Sequence, residues 1–174
     1  MDILFENRYK RTKEYFKEFY SYFYFKRPIA IILNVICALG FIFGVLLLLL
    51  SDPFRSENLI KFYIFFPLFI WFIMILRYFR SVKIRYNQDL EMNNGEPLDV
   101  KIMVTNDGIA ACFADSESKM QLPYQKIKKI LKTKNYYILI SEAKLSCTFK
   151  KDSFVGGDND EFLLFLMSKG LKCY

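Results

Sequence analysis

Apolar residues dominate two stretches of this chain, the first without a charge and the second nearly so. From Pro28 through Ser51 no side chain is charged. As a helix, Pro28–Leu50 rises about 1.5 Å per residue and reaches roughly 34 Å, enough to cross a hydrocarbon core roughly 30 Å thick. The run closes on Val45, Leu46, Leu47, Leu48, Leu49 and Leu50, apolar on every side as a lipid-facing helix must be. The second run, Leu59–Phe79, is uncharged only from Phe62 to Leu76. It becomes long enough when Lys61 and Arg77 snorkel from its two ends. Two membrane-spanning helices are therefore predicted, 28–50 and 59–79. Ser51–Asn58 forms a short polar connection, Pro28 sits in a first helical turn, and Pro67 is a candidate kink.

The flanks of this hairpin read differently. Met1–Glu6 fits a short strand, and Asn7–Phe25 contains no helix breaker. On a helix, Tyr9, Phe16, Phe19, Tyr20 and Phe23 gather near one face, with Lys10, Lys13, Glu14, Lys17 and Ser21 elsewhere. Such a segment either lies in the membrane interface or begins the first span, with Tyr22–Phe25 as an aromatic belt. Beyond Arg77 the helix can continue to about Gln88, before a break at Asn93-Asn94-Gly95-Glu96-Pro97.

From Leu98 onward the apolar period becomes two. Val100, Ile102 and Val104 alternate with Lys101 and Met103, and Asn106-Asp107-Gly108 is a tight hairpin signal with Gly108 available for positive φ. Strands are predicted at Ile109–Ala114, Lys119–Pro123, Lys126–Thr133, Tyr136–Ser141 and Lys144–Lys150, with turns at Asp115–Ser118, Lys134-Asn135 and Glu142-Ala143. Gly156-Gly157 is a hinge before a final helix, with Asp158 as N-cap, Glu161 at capping-box spacing and Gly170 as the stop. Phe162, Phe165, Leu166 and Lys169 share a face of that helix, the first three closing one open end of the strand set. The predicted fold class is thus membrane α + β. A transmembrane helical hairpin precedes a small pleckstrin-homology-like (PH-like) roll of about six strands, capped by a C-terminal helix. The corresponding divisions are an N-terminal cytoplasmic or interfacial segment 1–27, the hairpin 28–79, a connector 80–97 and the PH-like domain 98–174.

Charge sharpens this layout. The net charge is +7, carried on both flanks of the hairpin, where an anionic leaflet is a nearer partner than nucleic acid. Lys17, Lys26, Arg27, Arg77, Arg80, Lys83 and Arg85 flank one end, against Arg55 and Lys61 at the other. The positive-inside rule then places both termini in the cytoplasm of a two-span cell-membrane protein. A cleaved signal peptide is not expected, because the run is too long and Asp52-Pro53 follows it instead of a small-residue cleavage pattern. Within the first span, Asn34, Cys37 and Gly44 lie on one side and Gly40 pairs with Gly44 at small-xxx-small spacing. This face is expected to pack on the second span of the same chain, a homodimer being the alternative. Asn34 is expected to act as interhelical glue, with Trp71 facing the other helix.

Candidate chemistry is sparse. The sequence has no His, which removes His-dependent triads and His-based zinc sites. Cys37, Cys112, Cys147 and Cys173 show no CxxC or metal spacing and read as apolar fillers. Gly156-Gly157 lacks a P-loop Lys, and Asp158, Asp160 and Glu161 are spaced for helix initiation instead of a calcium loop. No catalytic residue, metal or cofactor is expected. One feature suggests contact with a lipid or a partner. Lys126, Lys128, Lys132 and Lys134, with Ile130 among them, share one face of a strand opposite Ile127, Leu131 and Thr133. Read as function, the row binds lipid phosphates; read as structure, it guards an edge.

Two spans followed by Leu122-Pro123-Tyr124-Gln125-Lys126-Ile127-Lys128-Lys129-Ile130 and Tyr136-Tyr137-Ile138-Leu139-Ile140 resemble the YcxB-like family. So do Phe149-Lys150-Lys151-Asp152-Ser153-Phe154, Glu161-Phe162-Leu163-Leu164-Phe165-Leu166 and the opening Ile3-Leu4-Phe5-Glu6-Asn7-Arg8-Tyr9. The resemblance covers nearly the whole chain and rests on the order of moderately specific motifs. It implies a bacterial membrane protein with a cytoplasmic PH-like domain, and it brings no established activity or site residues. The expectation is a membrane-anchored, non-enzymatic binding module for a protein partner or anionic lipid headgroups. The alternative is an accessory or immunity-type membrane protein acting through its hairpin on a larger membrane complex.

Overall fold

The uncharged first run forms helix α2, Pro28–Leu50. The second run forms a longer helix than its composition alone requires. This helix, α3, covers Pro53–Met92, so the expected polar connection Ser51–Asn58 is mostly helix. Pro53 opens α3, where a missing N–H costs nothing, and Pro67 lies inside it. Ahead of α2, helix α1 covers Lys13–Ser21 and passes into a π-helical turn at Tyr22–Lys26. Asn7–Phe25 is therefore not one helix, because Tyr9 and Lys10 belong to a strand. The computed structural model describes residues 3–50, 53–113, 119–143 and 145–172. The predicted turn Asp115–Ser118 and Cys173 lie outside the described residues. The chain divides into two compact units, Tyr15–Arg85 and Met1–Glu14 with Tyr86–Tyr174.

In the helical unit, α2 and α3 are each long and apolar enough to cross a membrane, and only 11% of each apolar window is buried. That exposure is unlike a core helix of a water-soluble fold, whose apolar face is covered. Ile29, Ile36, Leu39, Leu50, Phe65 and Phe69 are all more than half exposed. The α1 segment packs on α3 through aromatic and hydroxyl groups. The hydroxyls of Tyr24 and Ser81 lie 3.0 Å apart, Tyr78 Oη donates to the Lys17 carbonyl at 3.3 Å, and the Tyr78 ring meets Phe25 edge-on at 5.5 Å.

Among the described residues of the other unit there are eight strands, all antiparallel to their neighbours: β1 Ile3–Lys10, β2 Asp99–Thr105, β3 Gly108–Phe113, β4 Lys119–Pro123, β5 Ile127–Lys132, β6 Tyr136–Ser141, β7 Ser146–Lys150 and β8 Phe154–Val155. They form a five-stranded sheet in the order β4-β3-β2-β1-β8 and a three-stranded sheet in the order β5-β6-β7. The roll predicted at 98–174 thus lacked an interior strand. Strand β1, from the extreme N-terminal segment, lies between β2 and β8. Lys10 stands opposite Asp99, so residues 11–98, which include both apolar helices, are inserted into the connection of one β-hairpin. Where the insertion leaves and returns, Arg11 N donates to the Leu98 carbonyl at 2.8 Å, and Arg11 Nε lies 3.0 Å from the buried Asp89 carboxylate.

Helix α4, Asn159–Ser168, has the expected capping box between Asp158 and Glu161. Its Phe162 and Leu166 are fully buried. Phe162 meets Phe149 at 4.6 Å, Phe154 at 4.7 Å and Phe5 at 5.7 Å, so strands of both sheets converge on one ring. Phe165, expected in the same core role, is only half-buried. The sheets are also joined by a buried amide. Asn7 Nδ2 donates to the Lys150 carbonyl at 2.8 Å, and Lys150 N donates to Asn7 Oδ1 at 3.0 Å. Gly157 adopts φ +92°, and a Cβ there would come within 2.8 Å of the Phe5 ring, so no larger residue fits.

Candidate functional site

Asn34, Cys37, Gly40 and Gly44 lie along α2. Trp71 Nε1 donates to Asn34 Oδ1 at 3.0 Å, while Asn34 Nδ2 donates one turn back to the Ala30 carbonyl at 2.8 Å. A Cβ at Gly44 would meet Tyr63 Cβ at 2.9 Å and Ile64 Cγ1 at 3.0 Å. At Gly40 the nearest atom, Pro67 Cγ, is 3.7 Å away, an ordinary contact. Gly44 therefore sets the close approach of α2 to α3, and Gly40 leaves room for the proline. Cys37 is buried. This arrangement packs two helices and offers no polar path.

Lys126, Lys128, Lys132 and Lys134 are all exposed, but they do not share a strand face. Lys126 closes a single 3₁₀ turn at Tyr124–Lys126, and Lys134 lies in the turn after β5. Between Ile127 and Lys129 the β5–β6 register shifts. The simple alternation is interrupted there, and Ile130, expected beside the lysines, is fully buried together with Leu131. Strand β5 is the outer strand of its sheet, and part of its edge is used by Ile130 N, which donates to the Lys172 carbonyl at 3.1 Å. This geometry matches the edge-guarding reading of the lysines.

A cleft forms at the end of α4 instead. Asn106, Asp107, Pro123, Tyr124, Gln125 and Lys169 line a space of about 450 Å³. The β2–β3 turn supplies Asn106 and Asp107, and the chain after β4 supplies Pro123, Tyr124 and Gln125. Gly108 does not take the positive φ its turn suggested. It is needed small, since a Cβ would meet the Leu122 carbonyl oxygen at 2.9 Å. Lys169, the C-cap of α4, donates from Nζ to the Asn106 carbonyl at 3.2 Å and lies over the rings of Phe165 at 5.3 Å and Tyr124 at 5.6 Å. The buried Tyr124 hydroxyl donates to the Thr105 carbonyl. Burial, and then the Asp107 carboxylate, drive its pKa far above the ordinary value of 10.0. It stays protonated as a structural donor. Cys147 is likewise held as a buried thiol, its pKa pushed up to about 12 by burial.

The cleft therefore combines an aromatic wall, an amide on either side, one carboxylate and one ammonium. These groups suit a peptide segment better than a phosphate, which Asp107 would repel. The turn Asn106-Asp107-Gly108 and the helix-face residue Lys169 were both legible in the sequence. Their meeting was not, because it depends on where α4 docks. No family model, curated protein or solved structure matches the chain, so the cleft is interpreted from its own chemistry.

Proposed function

We propose that the chain is a two-span membrane protein that holds a non-enzymatic binding domain at the cytoplasmic face. Its cleft at Asn106, Asp107, Tyr124, Gln125 and Lys169 would receive a segment of a protein partner. The observation that carries this reading is the insertion of both apolar helices between the paired strands β1 and β2. A domain entered and left through adjacent strand ends is joined to its anchor by two chain segments. A single flexible leash would leave it free to turn. Five- and three-stranded antiparallel sheets with a C-terminal helix are compatible with a PH-like roll. The basic end of the hairpin supports cytoplasmic termini.

A photo-crosslinking residue at Gln125, in the full chain in native membranes, tests the reading. One discrete adduct that weakens when Asp107 and Lys169 are changed to Ala is the expected result. Adducts formed only from a lipid-exposed hairpin position such as Leu48 would overturn it in favour of a hairpin acting on a larger membrane complex.

A further inference from the structure

Helix α3 leaves its apolar stretch through Arg77, Arg80 and Lys83, all exposed. At 100° per residue these three fall within about one third of the helix circumference. Tyr78, which bonds to the α1 segment, lies on the other side, and Ser81 borders the arc. The outward arc also carries Leu76 and Ile84, exposed by 51% and 43%, and Phe79, exposed by 60%, lies just beyond its edge. Cations and large apolar side chains thus alternate along one unpacked face at the end of an apolar helix. No acidic residue occurs in the sequence between Glu57 and Asp89. The two ends of a phospholipid match this arrangement: an anionic headgroup meets the cations, and acyl chains cover Leu76 and Phe79.

We propose that the outward face of α3 at Arg77, Arg80 and Lys83 binds anionic phospholipid headgroups in preference to zwitterionic ones. The inference rests on the membrane reading of the hairpin but is separate from the peptide cleft. The cations project from a packed helix, and each can snorkel toward the headgroup layer from a fixed depth. The exposed lysines around β5 lack both the shared face and the apolar neighbours.

The chain's single tryptophan, Trp71, faces α2, so Leu76→Trp supplies the probe on the outward arc. Full-length protein with this change is reconstituted in mixed bilayers of phosphatidylcholine and phosphatidylglycerol, with one or the other lipid brominated, and its tryptophan quenching beyond that of the unchanged chain is followed. Phosphatidylglycerol should compete at least about threefold better than phosphatidylcholine at low salt, with the preference shrinking as salt rises. Arg77→Gln/Arg80→Gln/Lys83→Gln should bring the ratio to near one. Arg77→Lys/Arg80→Lys should keep it, a check that does not depend on the neutral variant folding. Lys126→Gln/Lys128→Gln/Lys132→Gln/Lys134→Gln should also leave it intact. Equal quenching by the two lipids with all three cations in place would overturn the proposal, as would persistence of the phosphatidylglycerol preference in the triple Gln variant. Quenching by neither lipid would overturn the membrane placement itself.

Discussion

Each of the two units uses one asparagine to join elements, and the two side chains do unequal work. In the helical unit, Asn34 accepts one bond from Trp71 and returns its own amide hydrogen to α2. In the β unit, Asn7 is completely buried and pairs with both backbone groups of Lys150, as a strand neighbour would. Removing Asn34 leaves an indole N–H that can find other partners, and interhelical bonds of this kind average about 0.6 kcal/mol. Removing Asn7 leaves the part-buried N–H and carbonyl of Lys150 without that partner, a loss of up to about 1–3 kcal/mol for each group to the extent that water cannot reach it. The helical unit is held by distributed close packing of an apolar surface. The β unit is held by a few pairings between residues far apart in sequence, and it should fail abruptly when one is lost.

The largest expected effect follows from the inserted hairpin. Replacing residues 12–97 with a short turn should yield a soluble, cooperatively unfolding domain, because Lys10 and Asp99 already face each other. A fragment beginning at Gly95 lacks an interior strand and should give no dispersed amide NMR spectrum. If that fragment folds as well as the joined one, β1 is dispensable and the contrast between the units collapses. Next, Phe162→Ala should cost about 3–5 kcal/mol in urea unfolding of the joined domain. Phe165→Ala, at a half-buried ring, should cost roughly 1–2 kcal/mol.

Asn7→Ala should cost about 2–4 kcal/mol. Asn34→Leu in the full chain should shift the unfolding of reconstituted protein by about 0.6 kcal/mol. Equal losses at the two positions would remove the distinction drawn between them. The smallest effect concerns alkaline pH. The folded pKa of Tyr124 is raised above its ordinary value of 10.0 by burial and Asp107. The proton is therefore held more tightly in the folded state, and stability is complete below pH 10 and falls as pH rises beyond it. Tyr124→Phe should flatten that decline in the joined domain. An unchanged slope would show that the hydroxyl is not buried as the cleft requires.

The sequence by itself determined every element whose cause is local. An unbroken uncharged run specified α2 to its ends, Pro28 and Leu50. A short apolar run between two turn signals located β6 at Tyr136–Ser141, and side chains three apart specified the cap of α4. Even the packing face of α2 was legible, since a small residue every four positions and one amide mark a single side of a helix. Only the tertiary structure decided what depends on distant partners. Strand β1 runs on through Lys10, beyond the short strand expected at its start, and its interior role comes from pairing with β2 across the inserted helices. The two-residue β8 has no pattern of its own and exists by pairing with Asn7 and Glu6. The lysine row dissolved because Lys126 and Lys134 fall in turns at either end of β5 and the β5–β6 register shifts between Ile127 and Lys129. The cleft appeared because the docking of α4 brought Lys169 to Asn106 and Tyr124. Local hydrogen bonding and apolar period are written in neighbouring residues, whereas register, bulges and the meeting of loops are selected by the free energy of the whole core.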